Sequence, residues 1–249
     1  MRVLLLGGTT EAALMARALA DAGIDAVYSY AGRTMAPAPQ PIPTRTGGFG
    51  GVAGLADYLR AEMITHVVDA THPFAARIGG NAVAACAGAG VPLIVLERPA
   101  WVATDADLWT RVADIDAAVS LLPEEPWTVF LAIGRQRLDA FAVKPQHHYV
   151  LRIVDPPEDP LPLPDAKIIL ARGPFDVAGD AALLCDHGVD LIVAKNAGGA
   201  GAEAKLTAAR GLGLPVIMID RPAMPPRRTV ATVIDVMDWL HHAPADLGV

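Results

Sequence analysis

The opening run Val3-Leu4-Leu5-Leu6-Gly7-Gly8-Thr9-Thr10-Glu11 constrains this chain more than any other phrase in it. Four apolar residues without polar alternation read as a strand buried on both faces, the habit of parallel sheets covered by helices. Two glycines turn the chain, and Thr9, Thr10 and Glu11 then open a helix with hydroxyl caps and an acid in its first turn. A strand that feeds a helix N-terminus through glycines makes a cradle for phosphate, because the first N–H groups of a helix have no partner within it. The full G-x-G-x-x-G fingerprint is missing, and turns of this kind also occur in domains that bind no nucleotide.

Short apolar segments alternate with alanine-rich helical ones along the whole chain. Strands are expected at 3–6, 26–30, 65–69 and 92–96, with helices at 12–20, 52–61 and 75–89. An extended piece at 109–112 and a helix at 115–122 lead to the polar break Leu122-Pro123-Glu124-Glu125-Pro126, read as a domain boundary. Beyond it, strands are expected at 128–133, 148–154, 167–170, 191–194 and 215–219, with helices at 135–141, 177–187, 203–209 and 230–241. The expected fold class is α/β, with two doubly wound, Rossmann-like parallel-sheet domains, residues 1–123 and 124–249, facing a cleft. Aromatics make up only 5% of the chain, so the core must come from Leu, Val, Ile and Ala, which suits β-α-β packing.

Twenty Lys and Arg against 27 Asp and Glu give a net charge of -7, which argues against a general nucleic-acid surface. Cys86 and Cys185 have no CxxC spacing and are expected to be buried, reduced thiols, as in a reducing cytoplasm. The first strand follows Met1-Arg2 without a signal-peptide pattern, and apolar runs such as 191–194 are too short to span a bilayer. A soluble cytoplasmic protein with no membrane or nucleic-acid partner is expected, and a monomer is compatible with the sequence. There is no Ser-His-Asp order, nucleophile elbow or Walker A lysine, so hydrolysis and phosphoryl transfer give way to redox chemistry. His147 and His148 have no acid or cysteine at ligand spacing, and no metal site is expected.

Gly7, Gly8, Thr9, Thr10 and Glu11 are the candidate pyrophosphate turn, although helix capping also explains Glu11. The second strand ends in Tyr28-Ser29-Tyr30-Ala31-Gly32-Arg33, without the acid that NAD-binding domains place there for the adenosine ribose. Arg33, helped by Ser29, would suit a 2'-phosphate, which favours NADPH over NADH; a solvated surface arginine is the alternative. Gly47, Gly48 and Phe49 belong to a glycine-dense loop that could close over the nicotinamide or its ribose, with Phe49 packed against something flat. Asp69, Thr71, His72 and Arg77 follow the third strand; His72 is a candidate acid, against the commoner structural role of a lone histidine. In the second half Arg135, Arg137, Arg172 and Lys195 sit at strand-end loops, and Asn196, Gly198, Gly199 and Gly201 add an amide and backbone donors. Cations gathered at one edge of an acidic protein point to a multiply anionic ligand, against ordinary helix-start surface charge.

Together, Gly7-Gly8-Thr9-x-Glu11, Gly47-Gly48-Phe49-Gly50, Asp69-Ala70-Thr71-His72-Pro73-Phe74-Ala75, Ala171-Arg172-Gly173-Pro174-Phe175 and Lys195-Asn196-Ala197-Gly198-Gly199 resemble the precorrin-6A reductase family of cobalamin biosynthesis. The resemblance covers nearly the whole chain. It implies that an NADPH-binding first domain and a tetrapyrrole-binding second domain reduce precorrin-6A to precorrin-6B, with hydride to C19 and a proton to C18. It further implies that the peripheral carboxylates of the macrocycle meet Arg172 and Lys195, and that any cobalt belongs to the substrate. Some relatives carry serine where this chain has Ala197, so a hydroxyl contact there would be absent. The cobalt-containing substrate of the anaerobic route is not separated from the cobalt-free one. Two rivals share the residue-level features: an NADPH-dependent reductase of another polyanionic metabolite, and a non-enzymatic nucleotide-sensing or binding module.

Overall fold

A computed structural model describes residues 1–32, 38–135, 137–157 and 159–242. Two compact units make up the chain, one of Met1–Pro99 with Ala223–Val249, the other of Ala100–Pro222.

In chain order the first unit runs β1 (Arg2–Leu6), α1 (Thr10–Asp21), β2 (Asp25–Tyr30), β3 (Thr44–Thr46), α2 (Gly51–Ala61), β4 (His66–Asp69), α3 (Ala76–Ala89) and β5 (Leu93–Leu96). The second holds β6 (Trp109–Val112), α4 (Ile115–Ser120), β7 (Thr128–Ala132), β8 (His148–Ile153), β9 (Ala166–Leu170), α5 (Val177–Asp186), β10 (Leu191–Lys195), α6 (Ala204–Leu212) and β11 (Val216–Ile219). The chain then returns to the first unit with β12 (Thr229–Val230) and α7 (Val233–His242).

Each unit is built on a six-stranded sheet in which every pairing is parallel, in the orders β12-β5-β4-β1-β2-β3 and β6-β11-β10-β7-β8-β9. The apolar run at the start of the chain explains the first sheet. Alternate side chains of a strand point to opposite faces. Val3 and Leu5 accordingly pack with Met15 and Leu19 of α1 and with Val236 and Leu240 of α7. Leu4 and Leu6 pack with Leu55 and Leu59 of α2 and with Ala82 and Ala85 of α3. Helices thus cover both faces. In the second unit Phe130, Ile192 and Met218 form a core with Leu184 of α5 and with Leu206 and Ala209 of α6.

The units do not divide at residue 123 as the sequence reading places them. The proline-marked stretch after α4 is a connection to β7, and Leu122 at its start is buried, so the chain does not leave the second unit there. Strand β6 follows β5 directly in sequence yet pairs with β11, while β12 follows β11 and pairs with β5. The two sheets have therefore exchanged their sixth strands. Three elements differ from the periodicity, the first being the helix expected at 135–141, which is a 3-10 helix at Leu138–Val143. Strand β3 (Thr44-Arg45-Thr46) has no apolar residue of its own, and residues 229–230, read as loop and helix start, form β12 before α7 opens at Val233. Cys86 is buried, but Cys185 is exposed on the solvent side of α5, whose inward residues are Asp180 and Leu184. No helix among the described residues is long and apolar enough to cross a membrane.

Candidate functional site

The turn after β1 is set by a close approach. Gly7 donates its N–H to Ser29 O at 3.1 Å, and a Cβ at Gly7 would lie 2.2 Å from Cζ of Tyr28. Tyr28 is buried and its hydroxyl accepts the Gly8 N–H at 2.8 Å. Burial pushes its phenol up to about 12, so it stays neutral. Gly8 adopts φ +117 with open space where a side chain would be. Thr9 caps α1, its hydroxyl accepting from Ala12 N at 3.1 Å and donating to Ala70 O at 2.7 Å. That second bond ties the turn to the end of β4. Exposed Thr10 begins the helix. Glu11 pairs with Arg98 at 2.6 Å, both side chains mostly buried. The arginine offsets the acid that would otherwise repel a phosphate at this helix start.

At the end of β4, Asp69 is almost wholly buried and its Oδ1 accepts both the N–H and the hydroxyl of Thr71, at 3.0 and 2.7 Å. Desolvation raises the pKa of its carboxyl, opposed by the Thr71 bonds and the charge of Arg227 and assisted by Glu97. Arg227 is paired with Glu97 at 3.0 Å. Asp69, Thr71, His72, Glu97, Met224 and Arg227 are among the residues lining a small, partly open depression. His72 is exposed, and its Nδ1 accepts the Phe74 N–H at 3.2 Å. Arg77 is exposed on the first turn of α3.

The glycine-dense loop is organised by a residue the sequence reading passed over. Arg45 stands opposite Ser29 in the β2–β3 register. It donates to Ser29 Oγ at 2.7 Å and to the carbonyls of Gly47 and Gly48 at 3.0 and 3.3 Å. Its guanidinium lies 3.9 Å above the Phe49 ring, and Phe49 meets Tyr58 edge-on at 5.1 Å. The flat partner expected for Phe49 is thus this guanidinium together with Tyr58. Ser29 is buried, with its hydroxyl held by Arg45. Arg33 lies outside the described residues.

In the second unit the cations follow the C-terminal ends of β7, β9 and β10, of which β7 and β10 are neighbours. Arg135 follows β7 and is exposed, donating to Pro156 O at 3.4 Å. Arg137, also exposed, pairs with Asp116 at 2.5 Å. Arg172 follows β9, with Asp155 at 3.9 Å and most of its side chain exposed. Lys195 ends β10 and donates to Ile133 O at 2.8 Å. Asn196 is buried, and its amide makes two bonds to the backbone of Trp101, from Trp101 N at 2.8 Å and to Trp101 O at 3.0 Å. Trp101 donates from Nε1 to Gly199 O at 3.1 Å, and Arg221 donates to the carbonyls of Asn196 and Ala197 at 3.0 and 3.1 Å. The carbonyls of Asn196, Ala197 and Gly199 are therefore bonded within the fold. Its glycines Gly198 and Gly199 both have positive φ.

Arg98, Arg227 and Arg221 were missed along with Arg45. Arg98 and Arg221 each follow a strand by two residues, a spacing that already singled out Arg172 and would have found both. No group of three or more His, Cys, Asp or Glu that could hold a metal gathers among the described residues.

A model of the family described as "Precorrin-6x reductase CbiJ/CobK" matches residues 2–241. The precorrin-6A reductase of Rhodobacter capsulatus is 62% identical over 249 residues, covering 100% of this chain and 99% of that protein. A cobalt-precorrin-6A reductase of Priestia megaterium is 30% identical over 252 residues, 97% of each chain. A solved structure of "CobK precorrin-6A reductase" superposes with a TM-score of 0.94 at 62% identity, covering 100% of both chains.

Proposed function

Because the chain belongs to the precorrin-6x reductase CbiJ/CobK family, we propose that it reduces precorrin-6A to precorrin-6B with NADPH as reductant. What carries this is likeness along the full length, at 62% identity, to a protein named for that reaction. Likeness to a relative named for the cobalt-containing substrate is half as strong, which favours the cobalt-free macrocycle.

The first unit is the candidate holder of the nucleotide. The open, positive-φ Gly8 and the Thr9-capped start of α1 fit a pyrophosphate, and Gly47, Gly48 and Phe49 form a loop beside the end of β2. Arg33 and Ser29 remain the candidates from sequence for the ribose end, Ser29 acting through Arg45. NADPH supplies a hydride, which goes to C19 while a proton reaches C18. For the proton the candidate is His72. To act as an acid the ring must be the imidazolium, so Nδ1 would give up the Phe74 N–H that it now accepts, and the ring would return to neutral once the proton had left. Asp69 and Thr71 shape the chain just ahead of it.

Arg77, Arg135, Arg172 and Lys195, with the backbone of Gly198 and Gly199, are the candidates for the carboxylates of the substrate. Asn196 contributes by holding the loop rather than by touching the ligand. The macrocycle is proposed to be bound by a monomer working in the cytoplasm.

The test is direct. Purified protein mixed with precorrin-6A and NADPH should consume nicotinamide absorbance and yield a macrocycle heavier by two hydrogens. NADPH binding without turnover would favour the nucleotide-binding module. Turnover with another polyanion but not with precorrin-6A would favour the alternative reductase.

A further inference from the structure

We infer that Arg45 reads the 2'-phosphate of the nucleotide, and so sets the preference for NADPH over NADH; this rests on the first unit holding that cofactor. The end of the second strand is where dinucleotide-binding sheets meet the adenosine ribose, by an acid for a free 2'-hydroxyl or an arginine for a phosphate. Here the acid is replaced by Ser29, and β3 sets Arg45 directly opposite it in parallel register. A three-residue strand, too short to build core, thus brings a cation to this corner.

The guanidinium is held but not used up. It has five N–H groups. Two on Nη1 meet Ser29 Oγ and Gly47 O, and one on Nη2 meets Gly48 O. The two left, on Nε and Nη2, are the adjacent pair that receives a phosphate in a two-pronged bond. No carboxylate among the described residues lies within ion-pair distance of it. Its charge is therefore not cancelled locally, unlike that of Arg98, which Glu11 neutralises, or of Arg227, which Glu97 neutralises. One face lies on Phe49, which fixes its plane and leaves the charge half exposed. An arginine needed only to brace a loop has no reason to keep an unpaired fork at this position.

The experiment compares Kd for NADPH and NADH by fluorescence titration, with adenosine 2'-phosphate as a displacing probe. Arg45→Met should weaken NADPH by about 10- to 100-fold, the worth of a hydrogen bond to a charged group, while NADH changes about threefold or less. Arg45→Lys, which keeps the charge without the fork, should fall between parent and Arg45→Met for NADPH, and the 2'-phosphate probe should lose affinity in step. Equal loss for both nucleotides, or no loss for either, would overturn the assignment and leave Arg45 a loop brace. A parent protein that binds neither nucleotide, or both alike, would instead sink the cofactor reading beneath it.

Discussion

His72 is exposed, and its Nδ1 accepts the Phe74 N–H, so the ring can give up a proton only after that nitrogen has itself been protonated. If it protonates the macrocycle, His72→Ala should lower kcat by about 100-fold, the lower range for positioned acids, with Kd for NADPH unchanged. It should also remove any histidine-like limb from the pH–rate profile. Near-normal turnover with both partners bound would show that water delivers the proton. At this scale the sequence made some residues legible and hid others. The Thr9 cap and the Asp69–Thr71 pair act locally, and local geometry is written in adjacent residues. Arg45 and Asn196 act through partners 16 and 95 positions away, which no spacing rule anticipates.

Among the elements, α5 is tied to the second sheet by a buried pair. Arg152 on β8 bonds Asp180 on the first turn of α5, with side chains 10% and 5% exposed. The same guanidinium lies 3.5 Å over the ring of Phe175, in the loop that carries Arg172. Breaking such a pair strands a charge away from water. Asp180→Ala should therefore cost about 3–5 kcal/mol in urea unfolding, whereas Arg152→Met with Asp180→Leu should lie closer to the parent than either single change. Additive losses would show that the charges act separately. Most elements were legible because their apolar runs are long enough to show a period. β3 and β12 were not, having three and two residues with little to bury, and being strands only because a neighbour offers an unpaired edge.

Across the whole molecule, each unit contains a buried histidine held neutral. Burial lowers the pKa of His66 in the first unit and of His147 in the second, the latter also under the charge of Lys144. A lowered value means that stability is fully present above the ordinary value of 6.5 and is lost as pH falls through the folded one. The urea midpoint should thus drop between about pH 7 and pH 5. In His147→Asn, whose side-chain oxygen can replace Nδ1 as acceptor for Trp127 N, the drop should be shallower. An unchanged slope would assign the acid sensitivity elsewhere. The division into two α/β units was legible at this scale, but its boundary was not, because a proline-rich connection within a unit looks the same in sequence as a linker between units.

The exchanged sixth strands bear on the order in which a nascent chain can finish its parts. Everything needed for the second sheet has left the ribosome once β11 emerges, although that unit begins only after β5. The first sheet, begun earliest, waits with the edge of β5 bare until Thr229 and Val230 arrive. The half that starts synthesis is therefore the last to close, and a chain cut short anywhere before β12 cannot complete it.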